Sequence, residues 1–243
     1  MIKHIFSSIK SYFEAIKLIK KLKLTKFFLI PALIGLILGI LFISTAIGLS
    51  DNLGNFITTY WTFDFGKSFI SGLSTWISGF IILLIGIMLY KHLLMALASP
   101  FMTPLSEKVE AHLTKQEKVH SKLSGTAQLM RSLKLNLGNL IKEMLITLPL
   151  MLLSLIPVIG LFFTVLVFYY QSYYAGIGNM DYTVERHLNF KESKSFYKKN
   201  KGIAVGNGFV FTMMLFIPFV GIMLTLPIAT IAATKNVLEK LDI

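Results

Sequence analysis

Residues 144–180 read MLITLPLMLLSLIPVIGLFFTVLVFYYQSYYAGIGNM, a stretch without a single charged side chain. One membrane-spanning helix needs about 20 apolar residues, so this stretch is too long for one span and barely long enough for two. Its centre, IPVIG, contains Pro157, which interrupts helical hydrogen bonding, and Gly160, which lets the chain turn. The stretch predicts a helical hairpin that crosses the membrane fully or returns half-way. A single Pro-kinked helix is the alternative.

The same pattern occurs again near the C-terminus. Residues 202–234 are also uncharged, and their centre, IPFVG, contains Pro218 and Gly221. Non-helical backbone at membrane depth is tolerated mainly where it is buried in protein or lines a watery cavity. We therefore predict a second hairpin, and we expect both turns to contribute to a permeation pathway.

The composition as a whole indicates a membrane protein. The chain has 243 residues, of which 54% are hydrophobic and 15% charged, and its mean hydropathy is +0.69. The sequence predicts one all-α integral membrane domain over residues 1–243. Besides the hairpins, it has two full transmembrane helices at 27–50 and 68–90 and a cytoplasmic helical region at 91–143. There is no cysteine, hence no disulfide or thiolate site.

The chain has a net charge of +12, and its basic residues lie between the apolar stretches. There it favours contact with anionic lipid head groups over nucleic acid. Residues 1–26 hold seven lysines and one acid, with isoleucine and phenylalanine at helical spacing. They predict an amphipathic helix in the head-group plane. The alternative is an amphipathic helix packed on another part of the chain.

The distribution of basic residues predicts the topology. The N-terminus, residues 91–143 and residues 181–201 are net basic, whereas 51–67 is not. Basic loops remain cytoplasmic, so we expect 51–67 outside and the other polar segments, with both termini, inside. A hairpin at 144–180 returns 181–201 to the cytoplasm, whereas a single span would place its six basic residues outside.

No motif of an enzyme occurs, and the five histidines have no standard metal-ligand spacing, so we expect no catalytic residue, metal or cofactor. The histidines are interpreted as interfacial or solvated. Glu107 and Glu110 are interpreted as partners in salt bridges or helix caps. Where the first uncharged stretch ends, we predict that Arg186 clamps the two hairpins together through Asp181, Asn207 or backbone carbonyls. A solvated loop arginine is the alternative.

Several short motifs support a resemblance. They are Phe28-Leu29-Ile30-Pro31, Leu97-Ala98-Ser99-Pro100-Phe101, Pro104-Leu105-Ser106-Glu107-Lys108-Val109-Glu110, Asp181-Tyr182, Phe190-Lys191-Glu192 and the IPFVG turn. In this order the chain resembles the CysZ sulfate permeases of the etoposide-induced protein 2.4 family. The resemblance implies a homo-oligomeric, multi-pass protein of the bacterial inner membrane that takes up sulfate for cysteine synthesis. A non-transporting scaffold or regulatory protein of the same family is the alternative.

The resemblance also implies a substrate site. In the sulfate permeases, a Gly-Leu-Arg-Arg-like segment before the first span is associated with sulfate; here the segment reads Leu22-Lys23-Leu24-Thr25-Lys26. Lys23 and Lys26 would attract a sulfate or related oxyanion, and Thr25 would supply a hydroxyl. Lysine lacks the bidentate geometry of arginine, so this segment departs from the pattern that the sulfate permeases have here. Topology and lipid contact are the alternative role of these lysines.

Overall fold

A computed structural model describes residues 2–60, 85–116, 120–154, 156, 158–217 and 220–243. Within these ranges every regular element is a helix, which confirms the all-α class. Pro157, Pro218 and most of the predicted span at 68–90 lie outside the described residues.

The helices are numbered in chain order. They are α1 (Ile2–Leu22), a short 3-10 helix (Leu24–Phe27), α2 (Leu29–Tyr60), the described part of α3 (Ile85–Leu97), α4 (Ser99–Thr114), α5 (Gly125–Ser154), α6 (Gly160–His187), α7 (Phe190–Lys199), α8 (Lys201–Leu215), α9 (Val220–Met223) and α10 (Thr225–Leu241).

Two described helical segments are long and apolar enough to cross a membrane, Leu24–Thr45 and Gly125–Ser154. The first overlaps the predicted span at 27–50, but α2 continues to Tyr60, past the predicted end. A third span is possible in length and composition if α3 and α4, which meet at a 67° bend, count as one broken element.

Helix α5 is longer than the sequence predicted. It has 30 residues and joins the polar segment before Met144 to the first apolar arm without a break. Helices α5 and α6 are antiparallel, since Arg131 near the start of α5 bonds to Asp181 near the end of α6. Both helices therefore extend beyond the apolar stretch into charged sequence, because helical hydrogen bonding does not stop where the apolar residues stop.

The described residues of the two interruptions at IPVIG and IPFVG form the same backbone hydrogen bond. The amide of Gly160 donates to the carbonyl of Ile156 at 2.8 Å, and the amide of Gly221 donates to that of Ile217, also at 2.8 Å. A side chain on Gly160 would overlap the carbonyl of Ser154. Glycine is required in both turns because the backbone folds directly back on the preceding helix.

Helices α6 and α8 approach each other at backbone contact. A side chain on Gly176 would overlap the carbonyl of Ala204, and one on Gly208 would overlap that of Ser172. Small residues permit this distance between helices in apolar surroundings. The two long apolar stretches of the sequence thus pack directly on each other.

Helix α1 packs on α8 and α10, although not through its most apolar face. Ser8 donates to the carbonyl of Ile203 at 3.3 Å, and the hydroxyl of Tyr12 donates to that of Asn207 at 2.7 Å. Phe6 and Phe13 are each 66% exposed. Small and hydroxyl-bearing residues allow close packing and find backbone acceptors, so the aromatic face is left outward, where a membrane interface would cover it.

Candidate functional site

The centre of the described fold contains a buried ion pair. The Nζ atom of Lys91 on α3 lies 2.5 Å from Oε1 of Glu143 on α5, and both side chains are fully buried. Lys91 also donates to the backbone carbonyl of Gln171 on α6 at 3.2 Å. One lysine therefore joins three helices.

His92, the neighbour of Lys91, belongs to the same cluster. Its Nε2 atom lies 2.8 Å from Oε2 of Glu143, and its Nδ1 atom lies 3.3 Å from Oδ1 of Asn136. The side chain is 1% exposed. The prediction of a solvated or interfacial histidine is wrong here, because Glu143 and Asn136 satisfy both ring nitrogens inside the protein.

The partners of the cluster restrict its protonation. The amide of Asn136 donates to the carbonyl of Ser132 at 3.0 Å, which turns Oδ1 toward His92. Nδ1 of His92 must then carry a hydrogen, since a carbonyl oxygen only accepts. Lys91 and His92 thus bind the two oxygens of one carboxylate, that of Glu143.

Two polar side chains beside this cluster have free hydrogen-bonding capacity. Both amide atoms of Gln171 and the hydroxyl of Ser172 are buried and have no partner among the described residues. A buried polar group without a partner costs roughly 1–3 kcal/mol. These groups are thus available to a polar ligand near the cluster of Lys91, His92 and Glu143.

Arg186 connects α6 to α4. Its guanidinium lies 2.5 Å from Oε2 of Glu110 and donates to the hydroxyl of Ser106 at 2.7 Å and to the carbonyl of Tyr182 at 2.6 Å. The prediction that Arg186 clamps the two hairpins is wrong, because its carbonyl partner belongs to its own helix, α6, and its other partners, Ser106 and Glu110, lie on α4. The alternative of a solvated arginine is also wrong, as the side chain is fully buried.

The interpretation of Glu107 and Glu110 as salt-bridge or capping partners is confirmed. Besides Arg186, Glu110 binds His187 at 2.9 Å, and Glu107 accepts from the amide of Ser121 at 2.8 Å and lies 3.0 Å from Nδ1 of His120. Both acids of α4 therefore hold neighbouring segments in place.

Asp181 and Glu185 lie one turn apart on α6. Asp181 accepts from Arg131 at 2.8 Å and from the hydroxyl of Tyr197 at 2.6 Å. Glu185 accepts from the hydroxyl of Thr103 at 2.8 Å. Burial, helped by the charge of Asp181, raises the pKa of Glu185 to about 7.

Asn207 joins four helices. It is fully buried on α8, its Oδ1 accepts from Asn179 on α6 at 3.0 Å, and its Nδ2 donates to the carbonyl of Ala229 on α10 at 3.1 Å. Its backbone carbonyl accepts from Tyr12 on α1. Asn207 is thus a packing centre between the two apolar stretches.

The predicted substrate residues lie elsewhere, at the turn between α1 and α2. Lys23, Thr25 and Lys26 are exposed, and Lys23 has the left-handed φ of 51°. The ammonium of Lys26 lies 5.4 Å from the ring centre of Phe27, and Lys108 of α4 donates to the carbonyl of Leu22 at 3.0 Å. The structure gathers the three residues at one surface turn, and their role in binding stays a prediction.

Sequence reasoning missed the Lys91–Glu143 pair, although a signal for it existed. Lys91 directly follows the apolar stretch that ends at Tyr90, and Glu143 directly precedes the one that starts at Met144. Opposite charges at the edges of two apolar helices are candidates for pairing when the helices pack together.

The chain was compared with known protein families. A family described as sulfate transporter CysZ/etoposide-induced protein 2.4 matches residues 11–225. The chain belongs to this family. Among curated proteins, none matches the chain closely enough to count as a relative.

Membership of the CysZ/etoposide-induced protein 2.4 family confirms the resemblance seen in the sequence. Together with the long apolar helices, it makes the chain a membrane protein. The match extends from α1 to the start of α10 and so includes the Lys91 cluster, both turns and the exposed Lys23 turn.

Proposed function

We propose that the chain is an anion channel or permease of the bacterial inner membrane, and that it carries sulfate for cysteine synthesis. The observation that carries this proposal is the unpartnered buried amide of Gln171 and hydroxyl of Ser172, beside the cluster of Lys91, His92 and Glu143, in a member of a sulfate-transporter family.

Buried hydrogen-bond donors act strongly, because they work in a low dielectric and water does not compete for them. The free amide of Gln171 and hydroxyl of Ser172 supply hydrogen bonds to an oxyanion that has lost part of its water. In this proposal these donors form the part of the pathway that binds the oxyanion.

The exposed turn supplies the entrance in this proposal. Lys23 and Lys26 raise the local concentration of anions, and Thr25 offers a hydroxyl. The hairpins around Gly160 and Gly221 enter the membrane from the cytoplasmic side, and copies of the chain assemble as a homo-oligomer.

Sulfate flux tests the proposal directly. Purified protein is reconstituted into liposomes and uptake of radioactive sulfate is measured, with chloride and sodium as comparison ions. We expect sulfate uptake well above that of empty liposomes and no sodium uptake. Absence of flux for sulfate and related oxyanions would favour a scaffold or regulatory role.

One variant connects flux to the cluster. Gln171→Leu removes side-chain atoms that have no described partner, so the fold should tolerate it while sulfate flux falls. Thr212→Val on α8 also removes a buried hydroxyl without a described partner, and it serves as the matched control. Equal flux in both variants and the parent would show that the cluster is not part of the sulfate pathway.

A further inference from the structure

A second cationic site lies outside the cluster described above. Helices α5, α6 and α7 enclose an open groove of about 360 Å³. Its charged lining consists of Lys134, Lys142, Lys194 and Lys198. We propose that this groove binds the phosphate group of an anionic membrane lipid.

The positive charges of the groove lack a counter-charge. The described lining contains four lysines and no carboxylate. The ammonium groups of Lys134 and Lys194 lie 5.1 Å and 4.7 Å from the ring centre of Phe190. Both lysines therefore lie on the same aromatic ring of the lining, and an anion beside that ring is attracted by both charges.

A buried donor in the groove lining points to a ligand independently of the lysines. Asn139 lines the groove, is 6% exposed, and its Nδ2 atom has no partner among the described residues. Its neighbour Gly138 also lines the groove, and a side chain there would meet no atom within 4 Å. An unpartnered amide donor in a lining that also contains lysines fits a phosphate oxygen.

The outer surface of α5 favours a lipid over a free anion. Leu137, Ile141 and Leu145 are 43%, 59% and 71% exposed and form one apolar ridge along the helix. This ridge lies beside the ridge of Lys134, Gly138 and Lys142, because residues three apart are neighbours on a helix. An acyl chain on the apolar ridge would place its phosphate on the basic one.

The position of the groove in the chain agrees with head-group depth. Lys142 lies two positions before the uncharged stretch, and two tyrosines, Tyr173 and Tyr174, line the groove from α6. Tyrosine is enriched at the membrane–water interface, where basic residues meet anionic lipids. The site is independent of transport and does not require the proposed function.

Native mass spectrometry of the full-length protein in an uncharged detergent tests the site. The probes are dioleoyl phosphatidylglycerol, its zwitterionic phosphatidylcholine counterpart, and inorganic phosphate. We expect retained phosphatidylglycerol adducts, few phosphatidylcholine adducts, and no displacement of phosphatidylglycerol by millimolar phosphate. Full displacement by phosphate would overturn the lipid assignment in favour of a free oxyanion.

Charge-matched variants of α7 locate the binding. Lys194→Ala with Lys198→Ala removes two lysines of the groove and should weaken phosphatidylglycerol binding about tenfold or more, given the attraction of each surface lysine for anionic lipid. Lys191→Ala with Lys199→Ala removes two exposed lysines outside the lining and should leave binding unchanged. Equal binding by the two double variants would overturn the proposal. Asn139→Leu is a second probe of the site that leaves the charge unchanged, and it should also weaken binding.

Discussion

Lys91 and Glu143 are the first and last residues of the longest polar segment between the apolar stretches, yet their side chains meet at 2.5 Å inside the protein. Removal of one partner from a buried pair costs about 3–5 kcal/mol, because the other charge stays buried. Lys91→Met should therefore lower the thermal stability of the detergent-solubilised protein strongly.

A double variant shows whether the loss of stability comes from the unpaired charge or from altered packing. Lys91→Met combined with Glu143→Gln removes both charges and retains a side chain that can form a hydrogen bond with Nε2 of His92. We expect it to be more stable than Lys91→Met alone in thermal unfolding followed by light scattering. If the double variant is the less stable of the two, the buried pair does not act as a unit.

Arg186 should contribute to stability through Glu110. Arg186→Ala leaves a buried carboxylate with only His187 and should lower the free energy of unfolding by more than about 1 kcal/mol. Lys191→Ala, on the exposed side of α7, provides a control that should melt like the parent. Similar melting of all three proteins would show that the Arg186–Glu110 contact is weak.

The apolar helices and their glycine turns could be predicted from sequence because these features are local. The uncharged stretch at 144–180 specifies helices, and Gly160 in IPVIG specifies the interruption. Glu110, the partner of Arg186, lies 76 positions away in the sequence, and Glu143, the partner of Lys91, lies 52 positions away. Each pair forms only when the helices that carry it pack together. Hydrophobic periodicity does not reveal such contacts.

Helix α1 shows a second limit of the sequence pattern. Periodicity marks the face with Phe6 and Phe13 as the apolar face of the helix, but it does not reveal that Ser8 and Tyr12 make the contacts with α8. In a soluble protein apolar residues turn inward, but a membrane offers them an equally apolar exterior. Small and polar residues can then occupy the interior contacts.

The glycine turns should not tolerate a side chain. Gly160→Ala would overlap the carbonyl of Ser154, and Gly221→Ala would bring Cβ within 2.7 Å of that of Leu215. Both substitutions should lower the melting temperature. Gly138→Ala on α5 meets no atom within 4 Å and should stabilise the helix by roughly 0.5–1 kcal/mol. Equal effects at all three positions would contradict the turn geometry.

The predicted topology can be tested by labelling, since the chain has no native cysteine. Single cysteines at Asp51→Cys and Lys194→Cys are treated in whole cells with a membrane-impermeant maleimide. We expect labelling of the first from outside and of the second only after lysis, because residues 181–201 are basic. External labelling at position 194 would show that the segment before it crosses the membrane once.

Glu185 should make stability depend on pH. Its pKa is raised from 4.5 to about 7 by burial and by the charge of Asp181, against a hydrogen bond from Thr103 and the charges of Arg131 and Arg186. The folded protein therefore retains a proton that the unfolded chain has released in this interval. The resulting stabilisation is complete below about pH 4.5 and is lost as the pH rises through about 7.

A neutral side chain at this position should remove that dependence. Glu185→Gln should melt at a higher temperature than the parent at pH 8, and the difference should shrink toward pH 5, where the parent carboxyl is also neutral. Glu239→Gln, an exposed acid on α10, should follow the parent across the range. Parallel curves for the parent and Glu185→Gln would mean that Glu185 is ionised throughout, and that Arg131 and Arg186 outweigh its burial.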